Sequence, residues 1–437
     1  MSSPSSGDSS SALCFVGNYK FNSERDFLGK GMYGEVYRAV RAHSKCDDSD
    51  ILSDSEDRND SFKDGNEREY FAMKRTRYTS KKEGMPASTI RELMVLKKVS
   101  EALEKPSDHM LGAENVVRLR DFIVEKEAVY IVSEFCEGGD LSHFLSKQPK
   151  SRLNDRQWYR SWMRDLLRGL CFLHRKGISH RDLKPQNILL KASKKWNIDP
   201  ADGADTIPEK AQHIIKIADF GLSRIEGIPV KKYQHETITL WYRSPDVLLG
   251  NTNYSFTADI WSAGCILAET ASGNALFRGK DNADHLKFIF GRLGPPTQRN
   301  FPSMKQYANY EKYVHNNNCF NEVMHLDYDP VKYSNNEFAF AIKRLTHYFQ
   351  RYGALGVVGK DGIDLLAHML AYEPGHRLTA EEALQHPFFT TILPPISCCP
   401  SPKRNTEGLC VSGSCNSKPR NSNAGEDALN DMGTEDP

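Results

Sequence analysis

Apolar and polar residues alternate with two different periods along the chain, and the change divides it into two regions. From Tyr19 to about Glu104 the pattern predicts strand, turn, strand, a polar interruption, strand, and then a helix beginning near Pro86. From Arg156 onward it predicts long amphipathic helices, such as Q-W-Y-R-S-W-M-R-D-L-L-R-G-L-C-F-L-H-R-K-G and D-I-W-S-A-G-C-I-L-A-E-T. We therefore expect an α+β fold in which a small β-rich lobe precedes a larger helical lobe, with a cleft between them where ligands bind.

Polar stretches mark the ends and the interruptions of this folded region. Residues 1–17 are rich in Ser, and residues 391–437 are rich in Ser, Asn, Gly and Pro, so we predict that both are disordered and that the folded domain spans 18–390. Residues 44–69 and 192–213 separate predicted strands and are interpreted as insertions. The serines of the first, acidic insertion are either phosphorylation sites or parts of a solvated spacer.

Composition narrows the class of protein. The chain has 437 residues, 39% hydrophobic and 26% charged, with a net charge of +1, which excludes an electrostatic binder of nucleic acid. It has neither an apolar run of about 18 residues nor a secretory leader, so we expect no membrane partner and an intracellular protein of the nucleus, the cytoplasm or both. The ten scattered cysteines favour free thiols, with a zinc site among the four tail cysteines as the alternative.

A glycine-rich motif, G-K-G-M-Y-G-E-V, occupies residues 29–36. Glycines at this spacing let a hairpin approach phosphates closely, but the same spacing occurs by chance and in dinucleotide-binding folds. The dinucleotide interpretation requires a helix directly after the motif, whereas here E-V-Y-R-A-V continues as a strand.

A lysine ends the next apolar strand, F-A-M-K at 71–74. Lysine at a strand end is usually a solvated charge, but Lys74 can also neutralise phosphate oxygens. Glu92, in the helix that follows, carries a carboxylate able to hold that lysine in place.

Two further motifs carry groups that suit phosphoryl transfer: H-R-D-L-K-P-Q-N at 180–187 and D-F-G at 219–221. Asp182 can accept a hydroxyl proton, while Asn187 and Asp219 can hold Mg²⁺ against triphosphate oxygens. Each residue alone has a structural explanation. Their order along the chain, after the glycine motif, Lys74 and Glu92, matches the protein-kinase template.

Residues from about Tyr19 to Phe389 therefore resemble a eukaryotic protein kinase, and specifically a cyclin-dependent kinase. Four segments carry the narrower resemblance: P-A-S-T-I-R-E at 86–92, T-L-W-Y-R-S-P-D at 239–246, D-I-W-S-A-G-C at 259–265, and R-L-T-A with H-P-F-F at 377–389. The resemblance implies a bilobal fold, with an N-lobe of about 18–136 and a C-lobe of about 137–390. It also implies ATP and Mg²⁺ as cofactors, Ser or Thr followed by Pro as substrate, and a cyclin-like partner on the helix near 86–92.

The resemblance also implies a role for each site residue. The predicted catalytic set is Asp182 as base, Lys184 on the γ-phosphoryl, Asn187 and Asp219 on the metal, Lys74 held by Glu92, and Thr239. The predicted nucleotide set is Gly29, Gly31, Tyr33, Gly34, Val36, Ala72, Lys74, Glu134, Cys136, Asp140, Leu189 and Asp219. Leu96, Leu119, His180 and Phe220 are predicted to stack as an apolar column between the lobes, and Arg377 to pair with Asp246.

The activation segment between Asp219 and Asp246 sets substrate choice and regulation in the family. Ile238 is predicted to have a twisted carbonyl that favours proline, with Arg243 locking that geometry. Tyr33 keeps the position of an inhibitory phosphotyrosine. Arg91, Arg181 and Arg224 are predicted to converge where relatives carry a phosphorylated residue.

Three positions depart from the pattern of the family. Met32 replaces a phosphorylatable threonine, Ser133 replaces a bulky residue before the hinge, and Gln234 replaces the activating threonine or serine. A mitogen-activated-type kinase is the alternative within the class, disfavoured because the segment has no T-x-Y. A catalytically weak scaffold is the alternative outside it, disfavoured by the intact set Lys74, Glu92, Asp182, Asn187 and Asp219.

Overall fold

A computed structural model describes residues 13–31, 34–42, 69–78, 84–104, 111–192, 213–226, 240–252, 256–315, 333 and 338–390. All of these belong to the unit Met1–Leu393, and the second unit, Pro394–Pro437, lies outside the described residues. The predicted insertions and tail, including the tail cysteines, therefore fall almost entirely outside the described part of the chain.

The small lobe is a seven-stranded antiparallel sheet with one long helix, α1. Its elements are β1 Leu13–Val16, β2 Tyr19–Asn22, β3 Phe27–Gly31, β4 Gly34–Arg41, β5 Tyr70–Arg77, α1 Ala87–Glu104, β6 Leu119–Val124 and β7 Ala128–Glu134. The strand order is β1-β2-β4-β5-β7-β6, and β3 also pairs with β4. The predicted strands and the helix near Pro86 are all present.

The prediction that residues 1–17 are disordered is wrong for residues 13–17. Leu13–Val16 form β1, which pairs antiparallel with β2 across a turn at Gly17, where φ is +55°. Val16 is 3% exposed and packs with the apolar cluster of the sheet. A short apolar run, a glycine-asparagine turn and a second alternating run are the sequence signature of a hairpin, so the signal was present next to the Ser-rich start.

The β1–β2 hairpin also curls the sheet. A Cβ built on Gly17 would lie 3.0 Å from Cδ1 of Ile123, which belongs to β6 at the other end of the strand order. The two edges of the sheet therefore approach each other at this turn. The hairpin covers apolar surface that would otherwise face water.

The large lobe is helical, with two short two-stranded sheets close to the small lobe. Its elements are α2 Leu141–Ser146, α3 Arg156–Arg175, β8 Ile178–Ser179, β9 Ile188–Ala192, β10 His213–Ile217, β11 Arg224–Ile225, α4 Pro245–Leu248, α5 Phe256–Ser272, α6 Asn282–Leu293, α7 Ala339–Arg351, α8 Leu355–Met369, α9 Ala380–Leu384 and α10 Pro387–Thr390. Within the described ranges, no helix is long and apolar enough to cross a bilayer.

Helix α3 shows why the sequence folds this way. Asp155 caps its first turn, accepting a hydrogen bond from the backbone N–H of Trp158 at 2.7 Å. Trp162 is fully buried, as is Trp261 in α5, and both belong to one apolar cluster that fills the large lobe. The β9–β10 hairpin packs against α3, and the indole of Trp162 donates to the carbonyl of His213 at 3.0 Å.

We predict that Val16→Asp destabilises the protein, because β1 is part of the folded sheet. Removing a fully buried valine costs about 1.5 to 3 kcal/mol, and a buried carboxylate adds to that. Phe15 is the matched control, since it is the neighbouring residue and is 62% exposed. We expect Phe15→Asp to stay within about 0.5 kcal/mol of wild type. Urea denaturation measures both, and equal free energies of unfolding for the two variants would contradict a packed β1.

Candidate active site

A buried cation lies between two carboxylates where β5, α1 and the start of D-F-G meet. Nζ of Lys74 lies 2.7 Å from Oε2 of Glu92 and 3.2 Å from Oδ1 of Asp219. Glu92 is on the buried face of α1, with Val95, Leu96 and Val99, so packing of that helix aims its carboxylate at the sheet. The predicted Lys74–Glu92 pair is therefore formed.

Burial and neighbouring charges shift the pKa values of Lys74 and Asp219 in opposite directions. Burial lowers the pKa of Lys74, but the carboxylates of Glu92 and Asp219 outweigh burial and raise it above its usual range. Burial likewise raises the pKa of Asp219, yet the ammonium of Lys74 holds it below its usual value. For Glu92 burial prevails, and its pKa is raised. Lys74 is therefore a fixed positive charge at neutral pH.

The catalytic loop brings three of the predicted residues together. Nζ of Lys184 lies 2.9 Å from Oδ2 of Asp182. The side-chain amide of Asn187 donates to the carbonyl of Asp182 at 2.7 Å and to its Oδ2 at 3.2 Å. Pro185 begins the short 3₁₀ turn that carries Asn187 back toward Asp182. The carboxylate of Asp182 is thus fixed in direction by an amide and an ammonium.

Asp259, at the start of α5, holds this loop and was not assigned a role from the sequence. Its carboxylate accepts hydrogen bonds from the backbone N–H groups of His180 and Arg181, both at 2.8 Å, and contacts Nε2 of His174 at 3.0 Å. Arg181 has a φ of +72°, a strained conformation for a residue with a side chain. Burial raises the pKa of Asp259, but His174 and the other partners lower it below its usual value. An aspartate in the first turn of a largely apolar helix was the signal available.

The glycine motif forms the β3–β4 hairpin, in which Gly31 pairs with Gly34. A Cβ on Gly34 would lie 2.3 Å from the carbonyl oxygen of Arg75, so this position requires glycine for internal packing. At Gly29 and Gly31 a Cβ would meet no described atom within 4 Å. Val36 lies opposite Lys74 in the β4–β5 pairing. The glycine motif is therefore continuous with the strand that pairs with Lys74.

The segment that joins the lobes contains the predicted adenine site. Ala72 pairs with Ser133 across β5 and β7, and Oγ of Ser133 donates to the carbonyl of Ala72 at 3.4 Å. Asp140 caps α2 through a hydrogen bond from the N–H of His143 at 2.9 Å, and it bridges to Leu189 in β9. Two pairs of predicted or noted residues are therefore adjacent here: Ala72 with Ser133, and Asp140 with Leu189.

Cys136 lies just beyond β7 and is buried. Burial raises the pKa of its thiol to about 12. It is accordingly a protonated, unreactive thiol at neutral pH. In this segment its backbone, rather than its sulfur, is the candidate for ligand contact.

Two predicted structural features are also present. The rings of His180 and Phe220 lie 5.2 Å apart between centroids. Phe220 and Leu96 belong to the same core cluster, and Leu119 packs against that cluster. Nη2 of Arg377 lies 2.6 Å from Oδ1 of Asp246, and both side chains are fully buried. Burial raises the pKa of Asp246, but the guanidinium outweighs it and holds the pKa below its usual value.

The regulatory residues are only partly described. Arg224 in β11 pairs with Ser179 in β8, two residues before Arg181 in the sequence, while Nε of Arg91 donates to the carbonyl of Ala87 at 3.1 Å. Arg243 ends a 3₁₀ turn, donating its N–H to Leu240 at 3.0 Å. The predicted residues Tyr33, Gln234, Ile238 and Thr239 lie outside the described residues.

Comparisons with known proteins agree with this arrangement. Residues 61–389 match the sequence model of the protein kinase domain. The chain is 36% identical over 364 residues to Cell division control protein 2 homolog 1 of Trypanosoma brucei brucei, covering 83% of this chain and 96% of that protein. The chain therefore belongs to the protein kinase family, within it to the cyclin-dependent kinases. It is a protein serine/threonine kinase.

Proposed function

We propose that the protein transfers the γ-phosphoryl group of Mg-ATP to Ser or Thr followed by Pro, and that a cyclin-like subunit activates it. The observation that carries the proposal is the assembled set at the cleft, where Lys74 contacts Glu92 at 2.7 Å and Asp219 at 3.2 Å. Kinases of this class require that lysine–glutamate pair for activity. Proline direction rests on the resemblance at Ile238 and Arg243.

Each residue has a distinct part in the proposed reaction. Asp182 orients the substrate hydroxyl and accepts its proton, and the hydrogen bonds from Asn187 and Lys184 fix the carboxylate for that task. Lys184 also places a positive charge where the transferred group gains negative charge. Lys74 binds the phosphates of the nucleotide. Because these groups are held before substrate arrives, little reorganisation is needed during transfer.

The residues present also fit Mg²⁺. Asp219 supplies a carboxylate, and the amide nitrogen of Asn187 is committed to Asp182, which leaves its amide oxygen as the atom to face an ion. Carboxylate, amide and phosphate oxygens are the ligands that Mg²⁺ prefers. When bound, the ion neutralises charge on the phosphate oxygens.

The glycine hairpin and the segment joining the lobes suit the rest of the nucleotide. Glycine is required at Gly34 by packing, but the open space at Gly29 and Gly31 leaves room for phosphates near the backbone N–H groups. Backbone groups near Glu134 and Cys136 face the adenine edge in this proposal. Ala72, Val36 and Leu189 enclose the base, and Asp140 reaches the ribose.

Helix α1 offers the surface for the partner. Ile90 and Met94 lie four residues apart and are 43% and 42% exposed, which is unusual for apolar side chains on a helix whose other face is buried. We propose that a cyclin-like subunit covers them. The process we propose is control of the cell cycle or of transcription, in the nucleus, the cytoplasm or both, and the name of the trypanosome relative favours the cell cycle.

We expect Asp182→Asn and Lys74→Met to abolish phosphoryl transfer while the protein remains folded. Loss of a positioned base or phosphate clamp costs on the order of 100-fold or more in rate. The assay is transfer from Mg-ATP to a Ser-Pro peptide by the kinase–partner complex, with circular dichroism to confirm folding. Lys147→Met, an exposed lysine on α2's C-terminal side, is the control. Near wild-type rates in either active-site variant would contradict the assigned mechanism.

We expect the protein to bind adenine analogues with bulky substituents that a Ser133→Phe variant rejects. The small Ser133 side chain, beside Ala72 in the sheet, leaves room behind the base that an aromatic ring would fill. Inhibition by a naphthyl-substituted analogue measures the difference. Equal inhibition of wild type and variant would show that a neighbouring side chain already fills this space.

We expect the partner subunit alone to give most of the activity, without a phosphate on the activation segment. Gln234 carries no charge, whereas a phosphate would bring about −2 to Arg91, Arg181 and Arg224. Another anion, such as Glu236 or a carboxylate of the partner, takes that place, and phosphate on Thr237 is the least favoured source. The complex made in bacteria is compared before and after treatment with an activating kinase and ATP. A rise above about tenfold, equivalent to about 1.4 kcal/mol, traced to phosphate between Ile225 and Thr239 would contradict this expectation.

A further inference from the structure

Glu134, the last residue of β7, has its carboxylate buried between two lysines. Oε2 lies 2.7 Å from Nζ of Lys191, and Oε1 lies 2.8 Å from Nζ of Lys216. Oε1 also accepts a hydrogen bond from the backbone N–H of Arg118 at 2.9 Å. Burial raises the pKa of Glu134, but the two lysines outweigh it and hold the pKa below its usual value. We call Glu134, Lys191 and Lys216 the hinge clamp.

The hinge clamp joins the two lobes. Glu134 belongs to the seven-stranded sheet of the small lobe, whereas Lys191 and Lys216 belong to the separate β9–β10 hairpin of the large lobe. Backbone hydrogen bonds continue the attachment: Gly138 donates to Leu190, and Leu190 donates to Gly139, both at 2.9 Å. The hairpin is therefore fixed to the whole segment that connects the lobes.

The lysines lie on the same face of the hairpin as Leu189. Lys216 is the register partner of Leu189, and Lys191 is two residues farther along β9. Directly paired residues and residues two apart share one face of a sheet. The ion pairs to Glu134 are therefore made from the face of the hairpin that also carries Leu189.

Stability alone is a poor explanation for this arrangement. Two lysines and one carboxylate leave an excess positive charge in a region where Lys216 and Glu134 side chains are only 8% and 6% exposed. Buried ion pairs are often no more stabilising than apolar residues of the same size, because desolvation offsets their attraction. Ionic contacts of this kind do, however, fix the distance between the strands that carry them.

We propose that Lys191 and Lys216 are positioning residues for the nucleotide. Through Glu134 they set the distance between Leu189 and the backbone of the segment that joins the lobes. That distance determines the width of the site that binds the base. This inference rests on the proposed function, because it takes the adenine to bind between those two surfaces. Neither lysine touches the reacting atoms, so the clamp acts on nucleotide affinity and leaves the chemical step to Lys74 and Asp182.

The test is steady-state kinetics of the kinase–partner complex with Lys191→Met, Lys216→Met and Glu134→Gln. Displacing binding groups by up to about 1 Å can cost as much as about 100-fold, and we expect the KM for ATP to rise by about fivefold to 50-fold. The kcat and the KM for the Ser-Pro peptide should stay within about twofold, since the removed interaction binds ground and transition states equally. Lys305→Met, an exposed lysine of the same lobe, is the control and should change none of these values.

Two further measurements separate the possible failures. The first is the affinity for adenosine, which has the base but no phosphates, measured by calorimetry; it should weaken as much as the affinity for ATP. The second is the KM for ATP of the double variant Glu134→Gln with Lys216→Met, which should be no higher than that of the poorer single variant. If wild type binds adenosine but transfers no phosphate, the proposed function fails while the clamp is still tested. Three results would overturn the proposed role of the clamp. The first is unchanged adenosine affinity in folded Lys191→Met and Lys216→Met. The others are a fall in kcat and thermal stability without a change in KM, and a rise in kcat.

Discussion

One buried carboxylate, that of Asp259, fixes the geometry on which the whole site depends. It accepts two backbone hydrogen bonds from the catalytic loop and contacts His174, which ties α5, α3 and the loop together. These hydrogen bonds help to hold the positive φ of Arg181, because a strained backbone persists only where surrounding contacts hold it. Asp182 is the next residue in this loop, and Asn187 and Lys184 then fix its carboxylate.

A series of contacts connects Asp259 to the other residues of the site. His180, held by Asp259 through its backbone, contacts Phe220 through its ring, and its Nε2 lies 2.9 Å from the carbonyl of Ala218. Asp219 follows directly and reaches Lys74, which in turn contacts Glu92 on α1. A shift of α1 would separate Glu92 from Lys74, which is consistent with the proposal that a partner acts on this helix.

The sequence was sufficient to predict contacts within short motifs. It was insufficient to predict ion pairs between residues that are far apart in the chain. The motifs at 180–187 and 219–221 have a fixed spacing, so residue order alone was enough to predict that Asp182 and Asn187 lie together and that Asp219 lies in the same site. Lys191 and Lys216 lie 57 and 82 residues from Glu134, and on strands of ordinary pattern they cannot be distinguished from solvated lysines. The hairpin at Gly17 was missed for another reason: four apolar residues are few beside a long Ser-rich run.

The β9–β10 hairpin also explains how the chain accommodates additional sequence. Ala192 and His213 are register partners at the open end of that hairpin, so the twenty residues between them leave and re-enter the fold at adjacent points. The entropy of closing such a loop grows only logarithmically, by about 0.6 kcal/mol for each doubling of its length. This position is therefore a natural acceptor for grafted peptides or whole domains, and an evolving lineage can lengthen it without rebuilding the core.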